Sequence, residues 1–396
     1  MLLTFFMDGV KYDMMKQCMP FLSSLNTRPV ISEFGYSCAC HATMYTGKYI
    51  DEHNTWFIWK KGKNSPYKWI DRVPLLKYID ILPLKLFLGK ITNKVAAKTG
   101  KITAYSGVPC LVNLPLKYWS LFELSDNVMW NDSSWKSEIP NLFSILNNKE
   151  VRHKVVALHN KTKSDDAFIE SSNLELDKLE YVYYFIGYTD NIMHSFGESV
   201  ESKEYLGKVD KFIRDEYEKA KLVHEDVTVI AFSDHGHIDL DGELININDY
   251  FTGKKKINSY IHLIESNFAR FWFRNEAERT EIEEVLNRMV KDGLGFIINE
   301  DIKNKYHLNL GDEHGELVFY LDAPREFTNT IWGFGHSVKS GHGYLPTHTK
   351  HFGIFCSNKQ VKDETKEVSL MDILPTTLSA LGIDDNYDLK GDCLWK

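Results

Sequence analysis

Five short runs of apolar, β-branched and aromatic residues, each closing on a polar cluster, constrain this chain more than any other feature. They are Leu2–Met7, Lys154–Leu158, Tyr181–Tyr188, Val227–Phe232 and His351–Phe355. Runs of this length with no alternating polar face are what strands buried on both sides look like. Such strands need helices above and below the sheet, and the intervening segments supply them. Tyr205, Leu206, Val209, Phe212, Ile213, Tyr217 and Ala220 recur at helical spacing within Ser202–Leu222. Shorter helical patterns fall at Ile139–Leu146 and Leu370–Leu381, the second with Ser369 or Asp372 as its cap. Strand and helix alternate, so the expected fold class is α/β, doubly wound about a mainly parallel sheet.

Two stretches break that rhythm. Residues 60–134 are rich in Lys, Pro and aromatics without clear periodicity. Residues 239–332 carry a helical run, Glu276–Lys291, and then strand-like pieces near Phe296–Ile298 and Glu316–Leu321. The expected organisation is therefore a core of 1–59, 135–238 and 333–396, an inserted lid over 60–134, and a small α+β subdomain over 239–332. The aromatics Trp56, Trp59, Trp69, Tyr105, Trp119 and Trp130 either stack on a ligand or fill the insertion's own core; the second reading is the simpler.

Composition removes several classes of function. Among 396 residues, 47 Lys and Arg stand against 55 Asp and Glu, a net charge of −8. Duplex nucleic acid is not an expected partner for such a balance. The six cysteines are few and scattered, which argues against a disulfide framework and for a reducing compartment. The opening MLLTFFMDGV lacks a basic flank and reads as a buried strand rather than a signal peptide. The most apolar later stretch, Tyr78 to Ile91, is broken by Asp80, Pro83, Lys85 and Lys90. No span reaches the ~20 apolar residues of a membrane helix. A soluble cytoplasmic protein with no membrane span is expected.

The polar clusters fall at or just past the carboxyl ends of the expected strands, where open α/β sheets bind ligands. Asp8-Gly9 follows the first strand. GYSCACHATMYTGKY, from Gly35 to Tyr49, leads through Ser37 into a helix that ends at Gly47, and such a helix start favours an anionic phosphate. Asp190 and His194 stand one helical turn apart in YTDNIMHSFG, and Asp234 and His235 are adjacent in FSDHGH. His342 lies between two glycines in SGHGY.

Each has a plain reading alone: a turn for Asp-Gly, an N-cap for Ser37, buried free thiols for Cys38 and Cys40. Together they supply three Asp, three His and one Ser, all nitrogen or oxygen donors. That set suits two divalent cations, zinc first and manganese as the alternative. Such cations would bind a phosphoryl group, activate the serine hydroxyl and stabilise the leaving oxygen.

Taken in order, Asp-Gly, the serine helix closing on Thr-Gly, Asp-x-x-x-His, Ser-Asp-His-Gly and Gly-His-Gly-Tyr resemble the alkaline phosphatase superfamily. Within it the chain is most similar to the type I phosphodiesterase/nucleotide pyrophosphatase branch, over 1–54 and 140–396. The resemblance implies an alkaline phosphatase-type core and a two-metal hydrolase of small phosphoesters, acting through a covalent phosphoryl-serine. By position it implies Ser37 as nucleophile, one metal on Asp8, Ser37, Asp234 and His235, and a second on Asp190, His194 and His342. His237 or His336 is expected beside these ligands, orienting them.

Two positions depart from the family's pattern. Ala39 replaces a usual proline, and Ile58 stands near the place of an asparagine that binds the phosphoryl oxygen. Asn54, Lys60 or Lys61 are the candidates to replace that contact. A lysine suits a dianionic monoester better than a diester, so phosphomonoesterase activity is the alternative. A sulfatase would need Pro and Arg after its nucleophile, and Ser37-Cys-Ala-Cys-His has neither.

Overall fold

The first strand, β1 (Leu2–Met7), is buried at all six positions, and the chain then turns at Asp8-Gly9. In the computed structural model the described residues are 1–73, 75–98, 111–126, 128–157, 174–331, 338–362, 367–384 and 386–395. Tyr105, Cys110, Leu158 and His336 lie outside them. The chain divides into two compact units. The first is Met1–His53, Lys136–Asp239 and Val338–Lys396; the second is Asn54–Trp135 with Leu240–Ser337. Both inserted stretches therefore fall in one unit.

The first unit is built on a seven-stranded sheet. Its other strands are β2 (Asn26–Ile31), β3 (His153–Ala157), β4 (Tyr181–Ile186), β5 (Thr228–Phe232), β6 (Gly353–Ser357) and β7 (Val368–Ser369). The order is β7-β2-β6-β5-β1-β4-β3. Only β6 runs against the rest, antiparallel to both β2 and β5. This is the doubly wound, mainly parallel sheet that the apolar runs predict.

Alternate residues of each strand serve different helix layers. On one face Leu3, Phe5, Met7, Val182, Tyr184 and Ile186 pack with Met14, Tyr205, Val209, Phe212 and Ile213. Those partners come from helices α1 (Tyr12–Cys18) and α5 (Val200–Lys221). On the other face Phe6, Tyr183 and Phe185 meet α2 (Ser37–Thr46) and α3 (Leu142–Asn148) through His41, Tyr45 and Phe143. Tyr45 and Tyr183 hydroxyls pair at 2.7 Å, which removes the penalty of burying either alone. Each such side chain contributes roughly 1.5–3 kcal/mol on burial.

Two strands were not legible in advance. β2 reads NTRPVI, with a charge and a proline, and is only half-buried at four of six positions. Its neighbour β7 is two residues long. The expected run at His351–Phe355 forms two residues later, because Thr349–His351 closes a single tight turn first. The helix over 370–381 is α6 (Ile373–Ala380), entered by a short turn at Leu370–Asp372 that Ser369 and Asp372 cap reciprocally.

The second unit holds a four-stranded antiparallel sheet, in the order Ile261–Ile264, Phe268–Trp272, Leu317–Leu321 and Gly295–Ile297. The helix Glu276–Lys291, capped by Asn275, lays Ile282, Val285, Leu286 and Met289 on it. Trp56, Trp59, Trp119 and Trp130 are buried within this unit, and Trp69 is half-buried. Trp59 stacks on Tyr67, which leans on Trp119. These tryptophans build the unit's own interior. One helix here, Leu82–Lys98, was not foreseen: its Pro83, Gly89 and apolar residues on nearly every side hide the helical period.

Candidate active site

Four chain-distant segments meet at the carboxyl ends of β1, β4 and β5. Asp8 directly follows β1, and its N–H donates to Ile186 O at 3.1 Å. Gly9 then takes φ +72°, and its N–H points at Asp234 Oδ1, 3.4 Å away. A Cβ there would stand 2.7 Å from His237 Nε2 and 3.1 Å from Asp190 Oδ1. The Asp-Gly pair is thus a turn whose glycine is required twice, by backbone conformation and by the groups packed against it.

Ser37 opens α2, but Tyr36 occupies the cap position and makes no side-chain cap bond. The Ser37 hydroxyl is not consumed in capping; Oγ lies 3.0 Å from His235 Nε2. One turn on, His41 packs edge-on against Phe6 and brings its Nε2 to 3.8 Å from Asp234 Oδ2. α2 ends at Gly47, φ +63°, whose N–H donates to Thr43 O.

Helix α4 (Tyr188–Phe196) carries Asp190 and His194 on one face. Asp190 Oδ1 lies 3.0 Å from His237 Nε2, 3.3 Å from His194 Nε2 and 3.6 Å from His342 Nε2. After β5, His235 Nε2 is 3.5 Å from both Asp8 Oδ1 and Asp234 Oδ2. The loop around His342 is held from behind. Gly343 N–H donates to His351 Nε2 at 3.1 Å, and Ser340 Oγ bonds the Met193 carbonyl.

Carbonyl oxygens fix two of the imidazole tautomers, because a carbonyl can only accept. His194 Nδ1 donates to Ser340 O and His235 Nδ1 to Gly236 O. Rings so held turn Nε2 inward. Beside Ser37 Oγ, His235 Nε2 faces one oxygen each of Asp8 and Asp234, and a cation among these groups would offset the mutual repulsion of the two carboxylates.

The electrostatics carry the same signature. Burial, reinforced by Asp234 and Asp190, pushes the Asp8 carboxyl well above the usual range. Burial likewise raises Asp234 to about 6, against the pull of His235. Burial also acts on Asp190, yet His194, His237 and His342 together hold it well below the usual carboxylate range. Burial lowers His237 to about 4, and burial with the neighbouring His235 holds His342 well below the usual histidine range. Asp8 Oδ1 and Asp234 Oδ2 are buried without a hydrogen-bond partner. Orphaned carboxylate oxygens among neutral imidazoles are a donor set that a divalent cation fits. Among the described residues, three groups have their donor atoms within 4.8 Å: Asp190, His194, His237 and Asp190, His235, His342, which share Asp190, and separately Asp8, His41, Asp234.

The structure therefore brings together all seven side chains singled out as ligands or nucleophile. It adds His41 and sets His237, wholly buried, directly on Asp190. The signal for His41 was its position one turn after Ser37, on the same helix face. Asn54, Lys60 and Lys61 belong to the second unit. There Asn54 Oδ1 lies 2.9 Å from His314 Nε2, and Lys60 and Lys61 sit in a two-stranded ribbon against Glu123 and Phe122. Cys38 and Cys40 are buried free thiols, and burial raises the Cys40 thiol further from ionisation.

A family model described as type I phosphodiesterase / nucleotide pyrophosphatase matches residues 2–345. No curated protein matches the chain by sequence. Among solved structures, murine ectonucleotide pyrophosphatase / phosphodiesterase 5 is similar at TM-score 0.62 and 14% identity, covering 97% of this chain and 95% of that one. An inactive variant of the same murine protein, in complex with AMP, gives 0.60 and 14% over the same shares. The human counterpart gives 0.58 and 13%, again over 97% and 95%. At these identities the likeness speaks to the fold.

Proposed function

Since the chain belongs to the type I phosphodiesterase / nucleotide pyrophosphatase family, we propose that it hydrolyses small phosphodiesters, nucleotides among them, with Ser37 as nucleophile and two divalent cations as cofactors. The observation that carries this reading is the Ser37 hydroxyl. It stands at the amino end of α2, uncommitted to capping and 3.0 Å from His235 Nε2, amid Asp8, Asp190 and Asp234.

Asp8, Ser37, Asp234 and His235 would hold one cation, and Asp190, His194 and His342 the other. All are oxygen or nitrogen donors, which favours zinc, with manganese as the alternative. What such cations supply is positive charge against phosphoryl oxygens and acidification of the serine hydroxyl. The chain's own groups do the rest. The amino end of α2 adds its partial positive charge to the phosphoryl side. Ser37 Oγ forms a bond to phosphorus as the leaving-group oxygen departs, and water then displaces the serine from the phosphoryl-enzyme. His237 steadies Asp190, while Ser340 and Gly236 hold His194 and His235 in one tautomer. The AMP complex of the murine relative supports a nucleotide as the substrate class.

The test is kcat/KM for bis-p-nitrophenyl phosphate against p-nitrophenyl phosphate, in zinc-loaded wild type and Ser37→Ala. A diester preference, reduced on the order of 10³-fold or more in the variant, is expected for loss of a nucleophile. A monoester preference, also lost in Ser37→Ala, would move the assignment to phosphomonoesterase. Full activity in Ser37→Ala would remove the serine mechanism.

A further inference from the structure

Of the sixteen large apolar side chains exposed among the described residues, ten lie between Val73 and Val95. Singly exposed apolar residues need no explanation, but a run of this density does. Its main element is the helix Leu82–Lys98 in the second unit. The inner face of this helix is narrow. Lys85, Leu88 and Thr92 are buried, and Lys85 anchors the helix by donating to Val112 O at 3.0 Å and pairing with Asp80.

The outer face is broad and mixed. Leu86, Phe87, Ile91 and Val95 are exposed, Phe87 at 58%, and interleave with the exposed Lys90, Lys94 and Lys98. Just before the helix, Leu75 and Tyr78 are 80% and 70% exposed. From residue 68 to 98 there are seven Lys and Arg against two Asp, a balance of +5 in a chain whose net charge is −8. The rest of the chain thus carries −13, so the segment that exposes the apolar side chains is basic within an acidic chain.

We propose that Leu75, Tyr78 and the outer face of the helix Leu82–Lys98 form a docking surface for an anionic phospholipid bilayer, on which the helix lies in the plane of the interface. Both halves of the patch fit that occupant. Leucine, phenylalanine and isoleucine enter the boundary of the acyl region, while lysine stems reach back so that their ammonium groups meet lipid phosphates. Crossing the bilayer is a different matter: no described helix is long and apolar enough for it. A second copy of the chain is a poorer occupant, because a symmetric contact sets one +5 patch against another.

Flotation of the full chain with vesicles tests this, using phosphatidylcholine alone and phosphatidylcholine mixed with phosphatidylserine. Binding to the mixed vesicles is expected to exceed binding to the neutral ones by roughly tenfold and to weaken as salt rises. The double change Leu86→Glu and Phe87→Glu is expected to cut bound protein by roughly tenfold or more. Lys90→Glu with Lys94→Glu should remove the preference for phosphatidylserine. Both variants alter exposed side chains only, so melting temperature and bis-p-nitrophenyl phosphate hydrolysis should stay at wild-type values.

Absence of flotation with either vesicle would overturn the proposal. So would equal binding to both with no salt dependence. A dimer seen by light scattering that Leu86→Glu and Phe87→Glu dissociates, without vesicle binding, would reassign the patch to self-association. The salt dependence is read on the unaltered protein, so the proposal stands or falls even if a variant misfolds.

Discussion

The imidazole rings of His235 and His342 lie face to face, 9° from parallel with centroids 3.9 Å apart. Through this stack the two halves of the cluster share a wall. His235 turns Nε2 toward Asp8 and Asp234, and His342 turns Nε2 toward Asp190. Two protonated rings at that separation would repel strongly in a buried site. Burial, and then His235, accordingly push His342 far below an ordinary histidine. With Nε2 of both rings turned toward carboxylates, the stack sets two nitrogen donors side by side, and that gives the cation reading its geometry.

Chelation is expected to destabilise the protein as well as silence it. If cations offset the buried carboxylates, their removal withdraws a ligand bound only by the folded state. Melting temperature should fall on adding EDTA and recover with excess zinc. An unchanged melting temperature, with zinc shown to be present beforehand, would count against a cation bound at Asp8 and Asp234.

His237 touches Asp190 and Ser340 Oγ, the contacts expected of a positioning residue. Replacing it by Ala should weaken metal affinity about 10–100-fold, the usual effect of losing such a partner. Chelator competition measures this directly, and activity should return at high metal concentration. Lost activity with unaltered affinity would instead assign His237 to the reaction itself.

Gly9 and Gly242 separate backbone strain from collision. Both have positive φ, +72° and +83°, but only Gly9 has neighbours where a Cβ would stand. Gly242→Ala should cost about 1–3 kcal/mol from conformation alone. Gly9→Ala should cost more and also abolish hydrolysis, because His237 and Asp190 must move. Denaturant midpoints of the two variants check the order.

Acid sensitivity has an identifiable source in the second unit. His262 is buried and donates Nδ1–H to Tyr260 O, and burial lowers its pKa from 6.5 to about 4. Between those values only the unfolded chain takes up the proton. The stability present above pH 6.5 therefore declines as pH falls toward 4, by at most about 1.4 kcal/mol per pH unit. His262→Leu should show a shallower loss between pH 6.5 and pH 5; identical slopes would refute the assignment.

Glu265 and Arg270 form a buried pair in the second unit, with Oε2 3.2 Å from Nε, and the guanidinium stands 4.0 Å over the Phe57 ring. Removing one member leaves the other charged and out of water. Glu265→Ala is expected to cost about 3–5 kcal/mol. Replacing both residues by apolar ones of similar volume should cost less than that single change, which a denaturation series would reveal.

Legibility followed burial and periodicity. β1 and Glu276–Lys291 were read to the residue, since one is apolar at every position but Thr4 and the other keeps a clean helical stripe. β2, with its Arg28 and Pro29, and the helix Leu82–Lys98, apolar on nearly every side, gave no such contrast. At the site, Asp190 with His194 is a local pattern that one helical turn explains. Its pairing with His237 and His342, 47 and 152 positions away, has no local trace.

The sequence by itself determined the chemistry available: which strands are buried on both faces, and which Asp, His and Ser follow their carboxyl ends. Period and residue type are local, and local patterns survive without a fold. Only the tertiary structure decided the rest. It left Ser37 Oγ free of capping and aimed at His235, made Gly9 indispensable through His237, and gathered both insertions into one unit. Those outcomes depend on parallel strands bringing residues from opposite ends of the chain to one edge, and no spacing along the chain encodes such distances.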